Sequence, residues 1–397
     1  MSDQPVTEPT SPLARIRGLI DVPSILTTFL AVVLALLVGA VIVAIADEDT
    51  VSALPYLAAR PADALGAGFS AAVAAYVALF QGSFGSLNAV SETLVAATPL
   101  ILTGLAVTVP FRAGLFNIGG EGQVIVGGAT AGLVGFSLTG LPAIIHLPLA
   151  LLAGLAGGAL YGALPGLLKA KTGAHEVIST IMLNNIAGLV LIEVLVTGLF
   201  QAPGRSDPIS KGIEESAALP VVGGGFRLDA GLLIALAAGA AIWWLLTRST
   251  LGFEIRAVGA NAVAATTAGM SAARTTVTTM AIAGGLAGLG GAGLILGAAG
   301  QGTVTPGFAS GVGFDGITVA LLGRGKPWGT VVAGVVFGAL KAGGRTMQSQ
   351  TSTPVDLVLV IQALVILFIA APVLIRALFR LKETSEATKG VAAGWGA

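Results

Sequence analysis

An uncharged run of apolar residues at 25–46 (ILTTFLAVVLALLVGAVIVAIA) sets the first limit on what this chain can become. As a helix it reaches across the hydrocarbon of a bilayer, and it carries no ionised group that would have to be desolvated there. Comparable runs follow at 92–111, 118–139, 143–168, 177–200, 228–247, 275–299, 310–323, 328–345 and 354–379. Only 10% of the 397 residues are charged, against roughly a quarter in an average soluble chain. The polar surface needed to coat a soluble globule is missing. The expected fold is all-α, a polytopic transmembrane helical bundle of about ten spans. The run at 310–323 is too short for a straight crossing and is expected to be part of a broken helix, buried in protein or lining a cavity.

Charge placement orients the bundle. Arg15 and Arg17 precede the first run and Asp47, Glu48 and Asp49 follow it, which puts the N-terminus in the cytoplasm. Ala44-Ile45-Ala46 resembles a signal-peptide cleavage site, but the preceding tail is long and carries acids, so the run reads as a retained first helix. Lys169 and Lys171 are also expected inside, which allows three crossings between them and the acidic run. Four apolar segments lie there. Segment 65–81, short and rich in small residues, is therefore assigned to a helix on or partly in the outer surface.

Arg112, Arg248, Arg256, Arg274, Arg324 and Lys326 then fall in inner loops, while Lys341 and Arg345 fall outside with Glu214 and Glu215. Both termini are cytoplasmic: a tail at 1–24, a transmembrane unit at 25–379 and a second tail at 380–397. Gly154, Gly158, Gly162 and Gly166 share one helix face, and Gly284 and Gly288 repeat the spacing. Small residues four apart let helices approach closely in lipid, so these mark scaffold.

Composition removes several functions. There is no Cys, so disulfides, cysteine zinc sites and iron–sulfur clusters are excluded, and two His leave no imidazole metal cage. A net charge of zero gives no nucleic-acid footprint. Neither a P-loop nor an arginine-rich voltage sensor is present. The intramembrane acids Glu121, Glu193 and Asp315 are few for a proton relay, so uphill transport would need energy from another subunit.

Four clusters interrupt the apolar background. In 111–123 (FRAGLFNIGGEGQ), Phe116, Asn117, Glu121 and Gln123 lead straight into a span, with Asn117 and Glu121 on one face if the segment is helical. Polar groups there are expected to border a pathway or gate, with a plain loop as the alternative. In 175–185 (HEVISTIMLNN), adjacent Asn184 and Asn185 lie near mid-bilayer, where an unpaired amide is costly. One is expected to bond another helix and the other to reach the pathway. His175 and Glu176 lack a nucleophile or a metal set, so no enzyme is implied. The third, 248–261 (RSTLGFEIRAVGAN), begins the longest cytoplasmic loop, and Ala257–Met270 looks competent to form a short helix for docking a partner. In the fourth, Asp315 opens the broken helix and either meets its positive end or borders the pathway.

These segments resemble a known family. TPLILTGLAVTVPFRAGLFNIGGEGQ (98–123), EVISTIMLN (176–184), LGFEIRAVGANAVAA (251–265) and GFDGITVALLGRGKPWG (313–329) match, in order, the permease subunits of bacterial ABC importers of the ribose, branched-chain amino acid and nucleoside type, nearest the nucleoside or simple-sugar branch. His175 stands where that branch more often has Asn, and Asn185 where it more often has Tyr. The resemblance implies one half of a permease pair in the bacterial inner membrane. Its partners would be a second homologous permease, a cytoplasmic ABC ATPase and an extracytoplasmic substrate-binding lipoprotein. It implies a coupling segment carrying Leu251, Gly252, Glu254, Arg256, Gly259 and Asn261, and a pathway bordered by 111–123 and by helices near 184 and 315. It brings no cofactor. An ion-coupled secondary transporter with a midplane site is the competing expectation.

Overall fold

The computed structural model describes residues 22–222, 224–351 and 355–380. The expected tails fall almost wholly outside these residues, and 22–24 already belong to the first helix. Fifteen α-helices are formed among the described residues. They are α1 (Val22–Ala46), α2 (Glu48–Ala53), α3 (Pro61–Phe84), α4 (Leu87–Arg112), α5 (Gly120–Ser137), α6 (Ala143–Thr172), α7 (Glu176–Leu195) and α8 (Gly231–Arg248). There follow α9 (Thr250–Ala260), α10 (Ala262–Thr267), α11 (Ala272–Leu296), α12 (Val312–Leu322), α13 (Pro327–Thr351), α14 (Val355–Ala370) and α15 (Pro372–Leu378).

By length and apolar character, seven helices are able to cross a membrane: α1, α3, α4, α6, α7, α8 and α11. The sequence reading counted about ten spans. Six of those runs are among the seven, α3 is added to them, and α5, α12, α13 and α14 do not qualify. α12 has 11 residues and α14 has 16. α5 opens on Gly120-Glu121-Gly122-Gln123, and α13 carries Lys341, Arg345, Gln348 and Gln350. α12 and α14 are too short, and α5 and α13 too polar, to have the length and apolar character of a full span.

α6 and α11 form the densest crossing, and glycine makes it possible. A Cβ on Gly158 would collide with the Gly284 carbonyl oxygen, and one on Gly162 would come within 2.5 Å of the Met280 carbonyl oxygen. The glycine face read from sequence is therefore the contact surface itself.

α13 serves as a ruler for α3 and α4. Thr330 bonds Thr108 (2.8 Å), Gly334 packs on Ile101, and Gly338 packs on Thr93 and Ala97. Farther along, Gly343 meets Leu79 and Ser83, and Met347 clusters with Ala75 and Ala78. Rising through α13 thus means descending first α4 and then α3. Those two helices run in the same sense, broken at Gly85-Ser86, and do not form a hairpin. The sequence reading made 65–81 a surface helix; it is instead a 24-residue helix packed into the bundle. Small side chains at Ala64, Gly68, Ala72 and Ala75 made it look weakly apolar, yet they are what lets it pack closely.

The loops gather at two ends. At one, Arg112 Nε donates to the Gly325 carbonyl (2.8 Å), Gly114 lies on Gly259, and Lys169 pairs with Glu176 (2.5 Å). At the other, Asp229 accepts the Gly231 N–H (2.7 Å) and the Ala298 N–H (2.6 Å), Arg227 meets Glu92, and His146 bonds Ser216 (2.7 Å) and the Val134 carbonyl (3.0 Å). α1 runs antiparallel to α3, with the Tyr76 hydroxyl donating to the Leu36 carbonyl and Gly68 on Ala44. It packs on α14 through Gly39 and Ile361.

Candidate functional site

Between α4 and α5, residues 115–118 have no regular structure, yet Leu115 and Asn117 are buried. An unwound stretch inside a membrane bundle must have its backbone groups satisfied by protein. Three side-chain amides supply this. Asn117 and Gln123 bond each other twice: Asn117 Nδ2 donates to Gln123 Oε1 (3.0 Å) and Gln123 Nε2 donates to Asn117 Oδ1 (3.1 Å). Asn117 also accepts the Gly119 N–H (3.1 Å) and donates to the Ala106 carbonyl (3.3 Å). Asn184 reaches in from α7, accepting the Gly122 N–H (2.8 Å) and donating to the Ile118 carbonyl (2.8 Å).

The helix starts at Gly120, so Asn117 does not share a helical face with Glu121 as the sequence spacing suggested. The reason is local. Once Asn117 turns its amide onto Gly119 and Gln123, its own backbone is held out of the helix.

A second discontinuity meets the first. From Leu296 the chain runs without a long helix, past Val304 against Gly132 and Phe308 against Gly128, to the start of α12. Glu121 Oε1 accepts the Gly311 N–H (2.9 Å) and Oε2 the Gly313 N–H (2.8 Å). An acid from α5 therefore caps the positive end of α12. Asp315, the acid the sequence offered for that role, turns away and pairs with Lys341 of α13 (2.5 Å). Lys341, read from sequence as an outer-loop charge, lies within α13; its missing partner was 26 residues upstream.

Asn185 and Phe116 lie outside the amide network. Asn185 is exposed on α7, bonded only to its own helix at Ile181 (3.1 Å). Phe116 is half-buried against Phe111, ring centroids 5.0 Å apart. On the helical wheel of α5, Gly120 faces Gly313 of α12 and Gly122 faces Asn184 of α7. Glu121 lies between those contacts, at the head of a partly open stripe with Ile125 and Ala129. The structure thus brings Glu121, Asn184 and Asp315 into one band of depth and uses the Asn117–Gln123 pair as its internal brace. Lys341 and Phe314 also belong to this band and escaped the sequence reading. A lysine isolated in the apolar run of α13 was the signal for the first.

The expected coupling segment is two helices rather than one. α9 is capped by Ser249, which accepts the Gly252 N–H (2.9 Å), and α10 by Asn261, which accepts the Ala264 N–H (2.9 Å). Asn261 divides them because its side chain restarts a helix where Ala-rich sequence alone would continue one. Gly252 packs on the Leu245 carbonyl and Gly259 on the Arg112 carbonyl, while Leu251 and Glu254 are half-buried and Arg256 is exposed. His175 caps α7, its Nδ1 accepting the Val177 N–H at 3.3 Å. Among the described residues, no group of three or more His, Asp or Glu is arranged to hold a metal.

Residues 89–370 match the family described as branched-chain amino acid transport system / permease component. The chain is similar to the guanosine ABC transporter permease protein NupP of Bacillus subtilis, 43% identical over 81% of this chain and 91% of that one. It is 39% identical to the glucose ABC transporter permease protein TsgB13 of Haloferax volcanii, over 75% of this chain and 80% of the other. The nucleoside ABC transporter permease protein NupB of Lactococcus lactis is 36% identical, over 79% and 88%. No solved structure matches. With a helical bundle broken at one point by an amide-braced stretch and at another by a carboxylate-capped one, and with this match over most of its length, the chain belongs to this permease family, as a multi-pass subunit of an ABC transporter in the cytoplasmic membrane.

Proposed function

We propose that the chain forms half of a translocation pathway that imports nucleosides, driven by ATP hydrolysis on a separate cytoplasmic ATPase. Similarity over 91% of a guanosine permease is the observation that carries the substrate class. A simple sugar is the second reading, favoured by the 39% identity to a glucose permease. The pathway runs along the face of α5, α7 and α12, bordered by Glu121, Asn185 and Asp315. Phe116, Asn117, Gln123 and Asn184 hold that face in shape from behind.

The ATPase docks on the Arg112 end, on α9 and α10. Support comes from the gathering there of Arg112, Lys169 and Gly259, and from a basic balance suited to the cytoplasmic side. Both termini point to the same side. A second homologous permease closes the pathway, and a substrate-binding lipoprotein delivers to the Asp229 end. Residues 25–379 then act as one permease unit between two cytoplasmic tails.

Reconstitution of the complete transporter in liposomes tests this reading. Uptake of labelled guanosine is expected only with ATP, the ATPase and the binding protein together. Flux through the chain alone, driven by an ion gradient, would support a secondary transporter and refute the proposal.

A further inference from the structure

Phe314 stands on the first turn of α12 with 46% of its surface open. The next residue, Asp315, pairs with Lys341, and each of these side chains is a little over a quarter exposed, at 28% and 27%. Glu121 lies close enough to interact electrostatically with both. Two acids and an ammonium group at the depth where α12 begins do not belong against hydrocarbon. They answer one another and the end of α12, and the surface the pair leaves open suits a polar passage. On the pathway face proposed above, the open ring of Phe314 stands next in the chain to this pair.

We infer that Phe314 and the Asp315–Lys341 pair form a passing contact site for the nucleobase of the cargo. The base stacks on the Phe314 ring, and its edge exchanges hydrogen bonds with the ion pair. This rests on the reading above that the α5–α7–α12 face lines the pathway and that the cargo is a nucleoside. The chemistry on the two sides fits. Asp315 meets Lys341 through Oδ2, and an ammonium group carries three N–H donors, so the pair has capacity left for a base edge. An aromatic face accepts any base, because every base has a π-face, and it holds more of a purine than of a pyrimidine. Such a contact is weak enough to release its cargo, as transit demands. A sugar meets the ring only through its C–H face and has no planar edge to set against the ion pair.

The test uses ATP-dependent uptake by cells carrying the complete transporter, normalised to the membrane content of this chain. Labelled guanosine, uridine and glucose are the probes. Phe314→Leu is expected to lower guanosine uptake at subsaturating substrate about tenfold, equivalent to one modest base stack. Uridine uptake should fall less, so the guanosine-to-uridine ratio drops, and Phe314→Trp should preserve it. Lys341→Arg keeps the ion pair and guards against variants that fail to assemble; it is expected to change the same ratio by altering the donors at the base edge. An unchanged ratio in Phe314→Leu overturns the inference. So does an equal loss of both nucleosides in Phe314→Leu and Phe314→Trp, which would assign the ring to packing. If the unmodified transporter imports glucose and no nucleoside, the cargo reading itself falls before any variant is compared.

Discussion

Glu121 Oε2 accepts the backbone N–H of Gly313 at 2.8 Å, and this bond joins the two discontinuous segments of the bundle. Its twin to Gly311 N–H uses the other carboxylate oxygen, so both acceptors are occupied by the end of one short helix. Glu121→Gln keeps the shape but offers one oxygen and turns an amide donor toward an N–H. The expected loss is about 1–3 kcal/mol, the usual range for a buried group left without its partner. Thermal unfolding of the purified chain in detergent measures it. An unchanged midpoint would show that the cap contributes nothing.

Asn117 and Gln123 satisfy each other and the backbone around them, so neither is dispensable alone. Asn117→Ala strands the Gln123 amide and the Gly119 N–H, and is expected to cost about 1–3 kcal/mol. Gln123→Ala removes two of the Asn117 bonds and leaves those to Gly119 and Ala106, so it is expected to cost less. The double variant should cost less than the sum, with a coupling of roughly 0.5–3 kcal/mol, since the two side chains form one unit. A double-mutant cycle on detergent stability checks this. Strict additivity would argue that the pair is not formed.

How much of this was legible in the sequence depended on whether a signal was local. The glycine face of α6 and the shortness of α12 could be read directly, because spacing and length lie within one segment. Partner choice could not. Lys341 looked like a loop charge until α12 placed Asp315 beside it, and Asn117 looked helical until Gln123 engaged its amide. The direction of α3 depends on contacts with α13 far along the chain (Gly343 on Leu79, for example), and no periodicity within 61–84 records it. The polar residues of the candidate site stand out in the sequence, but their partners do not, because a pathway and a satisfied unwound backbone call for the same side chains.

The crossing of α6 and α11 predicts a sharp contrast between two glycines. Gly158→Val forces a branched side chain onto the backbone of Gly284 and Gly288, which overpacking at such a contact makes costly by about 1–3 kcal/mol or more. Gly188 on α7 has nothing within 4 Å of an added Cβ. Gly188→Ala should therefore be neutral or stabilise by roughly 0.4–1 kcal/mol through the unfolded chain. Yield and melting temperature of the two variants, side by side, decide it. Equal tolerance at both positions would mean that α6 and α11 are not in close contact.

Arg256 separates docking from folding. It is exposed on α9, whereas the helix is anchored behind it by Gly259 against the Arg112 carbonyl and by the Ser249 cap. Reversing its charge should leave the bundle intact, since surface substitutions away from packing and caps usually shift stability by about 0.5 kcal/mol or less. If this surface couples to the ATPase, Arg256→Glu abolishes ATP-dependent uptake while the melting temperature and the affinity of the binding protein for the transporter stay unchanged. Gly259→Val behaves differently: it pushes α9 off Arg112, so stability and uptake fall together. Normal uptake by Arg256→Glu would remove α9 from the coupling surface, because a docking contact of that kind does not survive replacement of a cation by an acid.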